Sequence, residues 1–201
     1  MLKRCFDASL AGVGLVLSAP VWGLIAAVIK LEDGGPIFYR QERVGLGGRP
    51  FDALKFRSMR PDAESMTGAI QASARDPRVT SIGRLMRATA MDELPQLWNI
   101  LCGDMSFVGP RALRPGEIEA SGNGSLTRLE DVPGFEHRIT VRPGLTGLAQ
   151  IYAPRDIPRR QKFRYDRIYV NHHSLALDLR LILVSFWISL LGTWEVRGRK
   201  Y

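Results

Sequence analysis

Between Ala8 and Ile29 the chain reads ASLAGVGLVLSAPVWGLIAAVI, 22 residues without a formal charge. As a straight helix this run reaches about 33 Å, enough for the hydrocarbon core of a bilayer. Three fates compete. It could be a secretory signal peptide, with Lys3-Arg4 as its basic start and Ala26-Ala27 near a cleavage site. It could be a single span, or a helix that enters the membrane, breaks and leaves on the same side. Its length, and the polar, basic stretch from Lys30 to Arg43 that follows, speak against the signal peptide. Pro20 removes one backbone donor and crowds the Val16 carbonyl. In lipid a freed carbonyl needs a partner, and the Ser18 hydroxyl can help. Lys3-Arg4 and Lys30 flank the run with positive charge, which favours both ends on the cytoplasmic side. Ser18 and Pro20 therefore mark the expected helix break. A re-entrant helix is favoured over a span, and both stay open.

A second apolar stretch, Leu179 to Leu191, is too short to span comfortably and carries Arg180. Trp187 and Trp194 suit a membrane–water boundary. An interfacial helix and a buried core helix fit equally well.

Composition narrows the rest. The chain has 201 residues, 45% of them hydrophobic and 24% charged, with a net charge of +8. Those values exclude a disordered tail, a collagen-like repeat and a disulfide-rich secreted module. The two cysteines, Cys5 and Cys102, lie far apart with no metal-ligand spacing, which fits a reducing compartment. The basic residues come in short groups, the last running from Arg155 to Arg167. Such a chain can seek nucleic acid, anionic lipid or a phosphorylated substrate. No nucleic-acid-binding signature supports the first, and any single arginine is as readily a solvated surface residue.

Past the apolar run, Asp33-Gly34-Gly35-Pro36 is a turn, and Ile37-Phe38-Tyr39-Arg40 reads as a strand. After a second turn, Gly45-Leu46-Gly47-Gly48-Arg49-Pro50, the alternating Phe51 to Phe56 reads as the returning strand of a small β-hairpin. The glycines there are no dinucleotide loop, because the third position is Pro50, and no Walker sequence occurs. Ser81 to Leu101 carries the strongest helical pattern, with Ile82, Leu85, Met86, Leu94, Leu97, Trp98 and Leu101 at three-four spacing. Residues 116–135 read as a variable loop, and Ile157 to Val170 as an amphipathic basic helix.

The chemistry concentrates in Arg87-Ala88-Thr89-Ala90-Met91-Asp92-Glu93-Leu94-Pro95. Pro95 disfavours helix at Leu94 and removes a bond to the Met91 carbonyl, so Asp92 and Glu93 sit at a bend or a helix restart. Backbone amides there suit anions. An exposed acidic cap explains the pair equally well. Gly109-Pro110-Arg111 and Arg142-Pro143-Gly144 are rigid turns that each present an arginine for bidentate phosphate contacts. His137, His172 and His173 form no metal pattern, and no hydrolase elbow is present.

Taken together, several segments resemble the bacterial sugar transferases, the monotopic phosphoglycosyl transferases that start lipid-linked glycan assembly. They are Gly35 to Gly45, Lys55-Phe56-Arg57-Ser58-Met59, Met91 to Asn99, Gly103 to Arg111, Arg142 to Gly147, and Tyr165-Asp166 through Leu179. They run in family order over residues 1 to about 190, and the chain looks like the minimal catalytic form. Two departures stand out. The usual Ser-Pro of the membrane helix is interrupted by Ala19, and Pro-Arg-Pro is here Pro110-Arg111-Ala112.

The resemblance implies an α-rich α+β fold. Residues 1–33 would form the re-entrant membrane helix, and residues 34–201 one cytoplasmic catalytic domain with interfacial helices and the hairpin. It implies transfer of a sugar 1-phosphate from a UDP-sugar to polyprenyl phosphate, at the cytoplasmic face of the bacterial inner membrane. Asp92 would be the nucleophile and Glu93, beside it, the magnesium-linked acid. Lys55, Arg57, Arg87, Arg111 and Arg142 are the candidates for holding phosphates. The expected partners are the donor, the acceptor and membrane lipids, not nucleic acid; self-association and the identity of the sugar are open. The rival reading is a non-enzymatic, membrane-anchored basic protein that binds lipid or nucleotide. It accounts for the charge and the apolar run, but not for an acidic pair set between arginine turns.

Overall fold

A computed structural model describes residues 1–63, 76–120, 125–154, 157–192 and 194. Residues 121–124 of the variable loop, and Arg155 in the last basic group, lie outside the described residues. Helix α1, Leu2–Asp33, is helical throughout and ends at Gly34, whose φ of 70° lets its amide close onto the Lys30 carbonyl. The expected break at Ser18 and Pro20 leaves the backbone helical. Pro20 is exposed inside the helix, and the Ser18 hydroxyl donates to the Leu15 carbonyl at 3.4 Å rather than to that of Val16. One lost hydrogen bond bends a helix without ending it.

Strands β1, Phe38–Val44, and β2, Pro50–Phe56, form the antiparallel hairpin, with Tyr39 opposite Lys55 and Arg43 opposite Phe51. The first strand runs past Arg40, where the sequence reading ended it, and so takes Arg43 into the ladder. Helix α2, Ser81–Thr89, is capped by Thr80, whose hydroxyl accepts from the Gly83 amide at 3.0 Å. The helical pattern that runs on to Leu101 is split: α2 stops at Ala90, a 3-10 turn covers Met91–Glu93, and α3 spans Gln96–Cys102.

Strands β3, Ser106–Val108, and β6, Gly144–Thr146, pair in parallel. A Cβ on Gly144 would come within 2.0 Å of the Gly109 amide, so only glycine permits this approach. Strands β4, Ile118–Ala120, and β5, Leu126–Arg128, form a short ladder within what the sequence presents as a loop. Helices α4, Phe135–Arg138, α5, Leu148–Tyr152, α6, Arg159–His172, and α7, Leu175–Leu190, complete the order. Among the described residues the fold is helix-rich with three small sheets, in agreement with an α+β class.

Both halves of α1 pack on this body. Ala11 sits against Leu97, Ile100 and Met105, while Ile25 and Ile29 sit against Phe56 and Met86. Polar contacts fix the N-terminal turns. Lys3 reaches Asp178 at 2.6 Å, Arg4 donates to the Ile100 carbonyl at 2.6 Å, and buried Asp7 accepts from the Ser106 hydroxyl at 2.8 Å. At the other end Arg57 grips Asp33. Between these ends Val13, Val16, Leu17 and Leu24 are exposed. Helix α7 has one buried and one exposed apolar side. Leu181 and Ile188 are buried, while Leu179, Leu183, Phe186, Trp187 and Leu190 form an exposed stripe. Trp194 packs on the α7 core instead of projecting outward.

Candidate active site

Ala90 is the one non-glycine residue with positive φ, 58°, among the described residues. That conformation turns the chain out of α2 and into the 3-10 turn, placing Asp92 and Glu93 over the hairpin. Asn99 on α3 then holds strand β2 in place. Its Oδ1 accepts from the Leu54 amide at 2.9 Å, and its Nδ2 donates to the Asp52 carbonyl at 2.8 Å. Lys55, the next residue along, is thereby brought to Glu93, its Nζ 2.6 Å from Oε1. Arg111 reaches the same oxygen at 3.3 Å. The Arg111 loop is clamped in turn: Arg138 donates to the Arg111 carbonyl at 2.6 Å, and Arg43 to the Ala112 carbonyl at 3.0 Å. These bonds hold a turn that has Ala112 where the family's motif has proline.

Arg43, Ala53, Lys55, Glu93, Gln96, Met105, Arg111, Ala112, Gly144 and Leu145 line one small cleft. Asp92 is buried beside it, 8% exposed. Burial, with Glu93 adding to it, pushes the Asp92 carboxyl up to about 6, against the pull of Lys55, Arg87 and Arg111. Burial acts on Glu93 too, but Lys55, Arg111 and Arg43 outweigh it and hold that carboxyl down at about 2. The two adjacent carboxyls thus differ in character. Glu93 is a fixed charge, and Asp92 is a desolvated group facing cations.

Of the expected site residues, Asp92, Glu93, Lys55, Arg87 and Arg111 come together, Arg87 through its field on Asp92. Arg57 goes elsewhere. It is 7% exposed, and its guanidinium is committed to Asp33, at 2.6 Å for one bond, and to the Pro36 carbonyl at 2.6 Å. It fastens the end of α1 to the hairpin and holds the Asp33 carboxyl down at about 2. Arg142 donates to the Gly103 carbonyl at 2.7 Å and does not line the cleft. The sequence reading missed Arg43 as a site residue, and with it Asn99. His137 bonds Asn171 at 2.9 Å, away from the acidic pair.

Among the described residues no three His, Cys, Asp or Glu side chains gather as a metal cage. The acidic pair suits a hard cation only as two carboxylates completed by other oxygens. Mg²⁺ accepts that arrangement, because it keeps waters and substrate phosphates in its shell.

A sequence profile of the bacterial sugar transferases matches residues 1–192. The chain is 40% identical over 187 residues to the exopolysaccharide production protein PSS of Rhizobium leguminosarum bv. phaseoli, covering 90% of this chain and 92% of that one. It is 42% identical over 188 residues to the UDP-glucose:undecaprenyl-phosphate glucose-1-phosphate transferase of Caulobacter vibrioides, covering 90% and 67%. It is 46% identical over 138 residues to a putative undecaprenyl-phosphate N-acetylgalactosaminyl 1-phosphate transferase of Bacillus subtilis, covering 69% and 73%. With the acidic pair, Lys55 and Arg111 assembled around one cleft in a chain matched across nearly its whole length, this protein belongs to the bacterial sugar transferase family.

Proposed function

We propose that the chain moves a sugar 1-phosphate from a UDP-sugar to a polyprenyl phosphate at the membrane surface, through a phosphosugar carried on Asp92. The observation that carries this reading is the pair itself: a buried carboxylate next to a charge-paired one, with Lys55, Arg87 and Arg111 around them. Donor and acceptor are both anionic and repel each other. A covalent relay lets the nucleotide depart before the second phosphate arrives. Asp92 is desolvated, which leaves its oxygens poor in hydrogen bonds and reactive toward phosphorus. Lys55 and Arg111 fix Glu93 and present positive charge where oxygen charge develops. Glu93 and Asp92 would hold Mg²⁺ jointly with substrate oxygens, and the ion would neutralise the diphosphate.

The two phosphate carriers differ in solubility, so the site must sit at a bilayer surface. The α1 contacts support one-sided insertion. Lys3, Arg4 and Asp7 at one end and Ile29 and Asp33 at the other all bind the same body, while the exposed apolar middle is free to enter lipid. Helix α1 is the one described helix long and apolar enough to cross a membrane. The exposed α7 stripe would lie at the same interface on the cytoplasmic face. Relatives named for glucose and for N-acetylgalactosamine transfer both match the chain, so the sugar is best found by experiment. Presenting a UDP-sugar panel with undecaprenyl phosphate and measuring UMP tests the proposal. Acceptor-dependent UMP from one donor supports it, and no UMP from any donor in a folded preparation contradicts it.

A further inference from the structure

We infer that Arg43 anchors the phosphate that leaves with the nucleotide, on the Glu93 side of the acidic pair and opposite Arg87. The inference rests on the transfer reaction proposed above and gives Arg43 a role that the family resemblance did not supply.

Arg43 is 9% exposed and lines the cleft with Lys55, Glu93 and Arg111. Its bonds go to neutral oxygens, the Ala112 carbonyl at 3.0 Å and the Gln41 side chain. The charges it feels most are Arg111 and Arg114, with Arg159 further along; of the carboxylates facing it, Glu117 is one and Glu93, already paired with Lys55 and Arg111, is the other. Glu117 is itself engaged, 2.6 Å from Arg159 and accepting from the Arg114 amide at 3.1 Å. The same chain shows what a structural buried arginine looks like: Arg138 is matched to Asp166 at 3.1 Å. A buried cation crowded by cations is costly unless an anion joins it. Arg43 is built to receive one.

The sides of the pair identify that anion. Arg43 lines the cleft together with Glu93, while Arg87 sits on α2 outside that lining. Helix α2, which carries Arg87, packs against α7, whose outer face is the apolar stripe of Leu179, Leu183, Phe186 and Trp187. A lipid-borne phosphate arrives from there. Around Arg43 the neighbouring groups are charged, Arg111 and Arg114 on one loop and Arg159 at the start of α6, and a water-soluble donor arrives from that side. In the first half-reaction an Asp92 carboxylate oxygen forms a bond to the β-phosphorus. The bond from that phosphorus to the bridging oxygen breaks, and its electron pair stays on the oxygen. UMP leaves with one more negative charge than it carried as an ester, and no proton needs to move. The guanidinium fork meets that added charge, so its effect grows as the bond breaks.

The test uses the full chain in nanodiscs. Arg43→Gln and Arg43→Lys are compared with the parent for binding of UMP and of uridine, and for each half-reaction. The expected result is a ten- to hundredfold weaker UMP affinity in Arg43→Gln, the range of a lost charged hydrogen bond. Uridine binding should be unchanged and Arg43→Lys intermediate. Adduct formation should slow in proportion, while discharge of a preformed adduct to lipid phosphate keeps its rate. A folded Arg43→Gln that binds UMP as the parent does overturns the inference, as does an equal slowing of both half-reactions. If Arg43→Gln fails to fold, hydrogen exchange of residues 38–44 in the parent decides: slowing by saturating UMP supports the anchor, and no change overturns it. A parent chain that releases no UMP from any UDP-sugar would instead defeat the proposed function.

Discussion

Lys55 Nζ stands 2.6 Å from Glu93 Oε1, joining the returning strand of the hairpin to the turn that carries both acidic residues. Both side chains are about 15% exposed, so water screens the pair weakly. Removing the ammonium leaves Glu93 with Arg111 as its ion-pair partner and the more distant field of Arg43. Lys55→Met is expected to destabilise the chain by about 2 kcal/mol and to cut turnover by at least about a hundredfold. Chemical denaturation and UMP release measure the two effects. Full activity in a folded Lys55→Met variant would remove Lys55 from the site.

Asp92 links stability to pH in the reverse of the usual carboxylate sense. Its ordinary value is 3.8 and in the fold it is about 6. Between those values the folded chain keeps a proton that the unfolded chain releases, so stability falls as pH rises through that window. Above it the cost of burying the charge stands in full. Asp92→Asn should therefore be more stable than the parent at pH 7.5, by on the order of 1–3 kcal/mol. The advantage should shrink toward pH 4 while the variant forms no adduct. Melting curves in EDTA at both pH values check this, and an advantage that grows toward acid would contradict it. In the parent, adduct formation should slow as pH drops through about 6.

Arg57, bound to Asp33 and the Pro36 carbonyl, is assigned to structure. Arg57→Lys keeps the charge and loses the fork. It should lower the thermal midpoint by about 3 °C and leave KM for the UDP-sugar within about twofold. A large rise in KM at an unchanged midpoint would return Arg57 to the substrate.

The topology of α1 is open to labelling. Leu2 and Leu31 are both strongly exposed near its ends, so cysteines placed there react freely. In a background with Cys5 and Cys102 replaced by serine, both should react with an impermeant maleimide from the cytoplasmic side only. Reaction of the Leu2→Cys variant from the outside would mean a full span.

What the sequence made legible was local. The hairpin, the end of the apolar helix at Asp33 and the bend at the acidic pair all follow from glycine, proline and alternation, which act within a few residues. Pro20 was read correctly as a lost hydrogen bond, but its effect on the helix depends on its neighbours along the axis, and the helix continues. Arg57 and Arg142 sat in suggestive motifs, yet the carboxylate and carbonyl that engage them lie 24 and 39 residues away. Arg43 was passed over because the expected strand ends at Arg40, leaving it between that strand and the Gly45 turn, where an arginine is readily solvated. The ladder runs on through Gln41, Glu42 and Arg43 itself, which brings Arg43 to the cleft. Asn99 closes a segment that carried the resemblance, but its role gave no signal, since one asparagine in a helix looks the same whether or not it staples a strand 45 residues away.

The measurement that bears most directly on the central claim is mass spectrometry of the chain after brief exposure to its UDP-sugar without acceptor. The account predicts an added phosphosugar on the peptide containing Asp92, lost on addition of polyprenyl phosphate and absent from Asp92→Asn. A preparation that releases UMP at full rate upon acceptor addition, yet carries no such adduct or carries it on another residue, would contradict it.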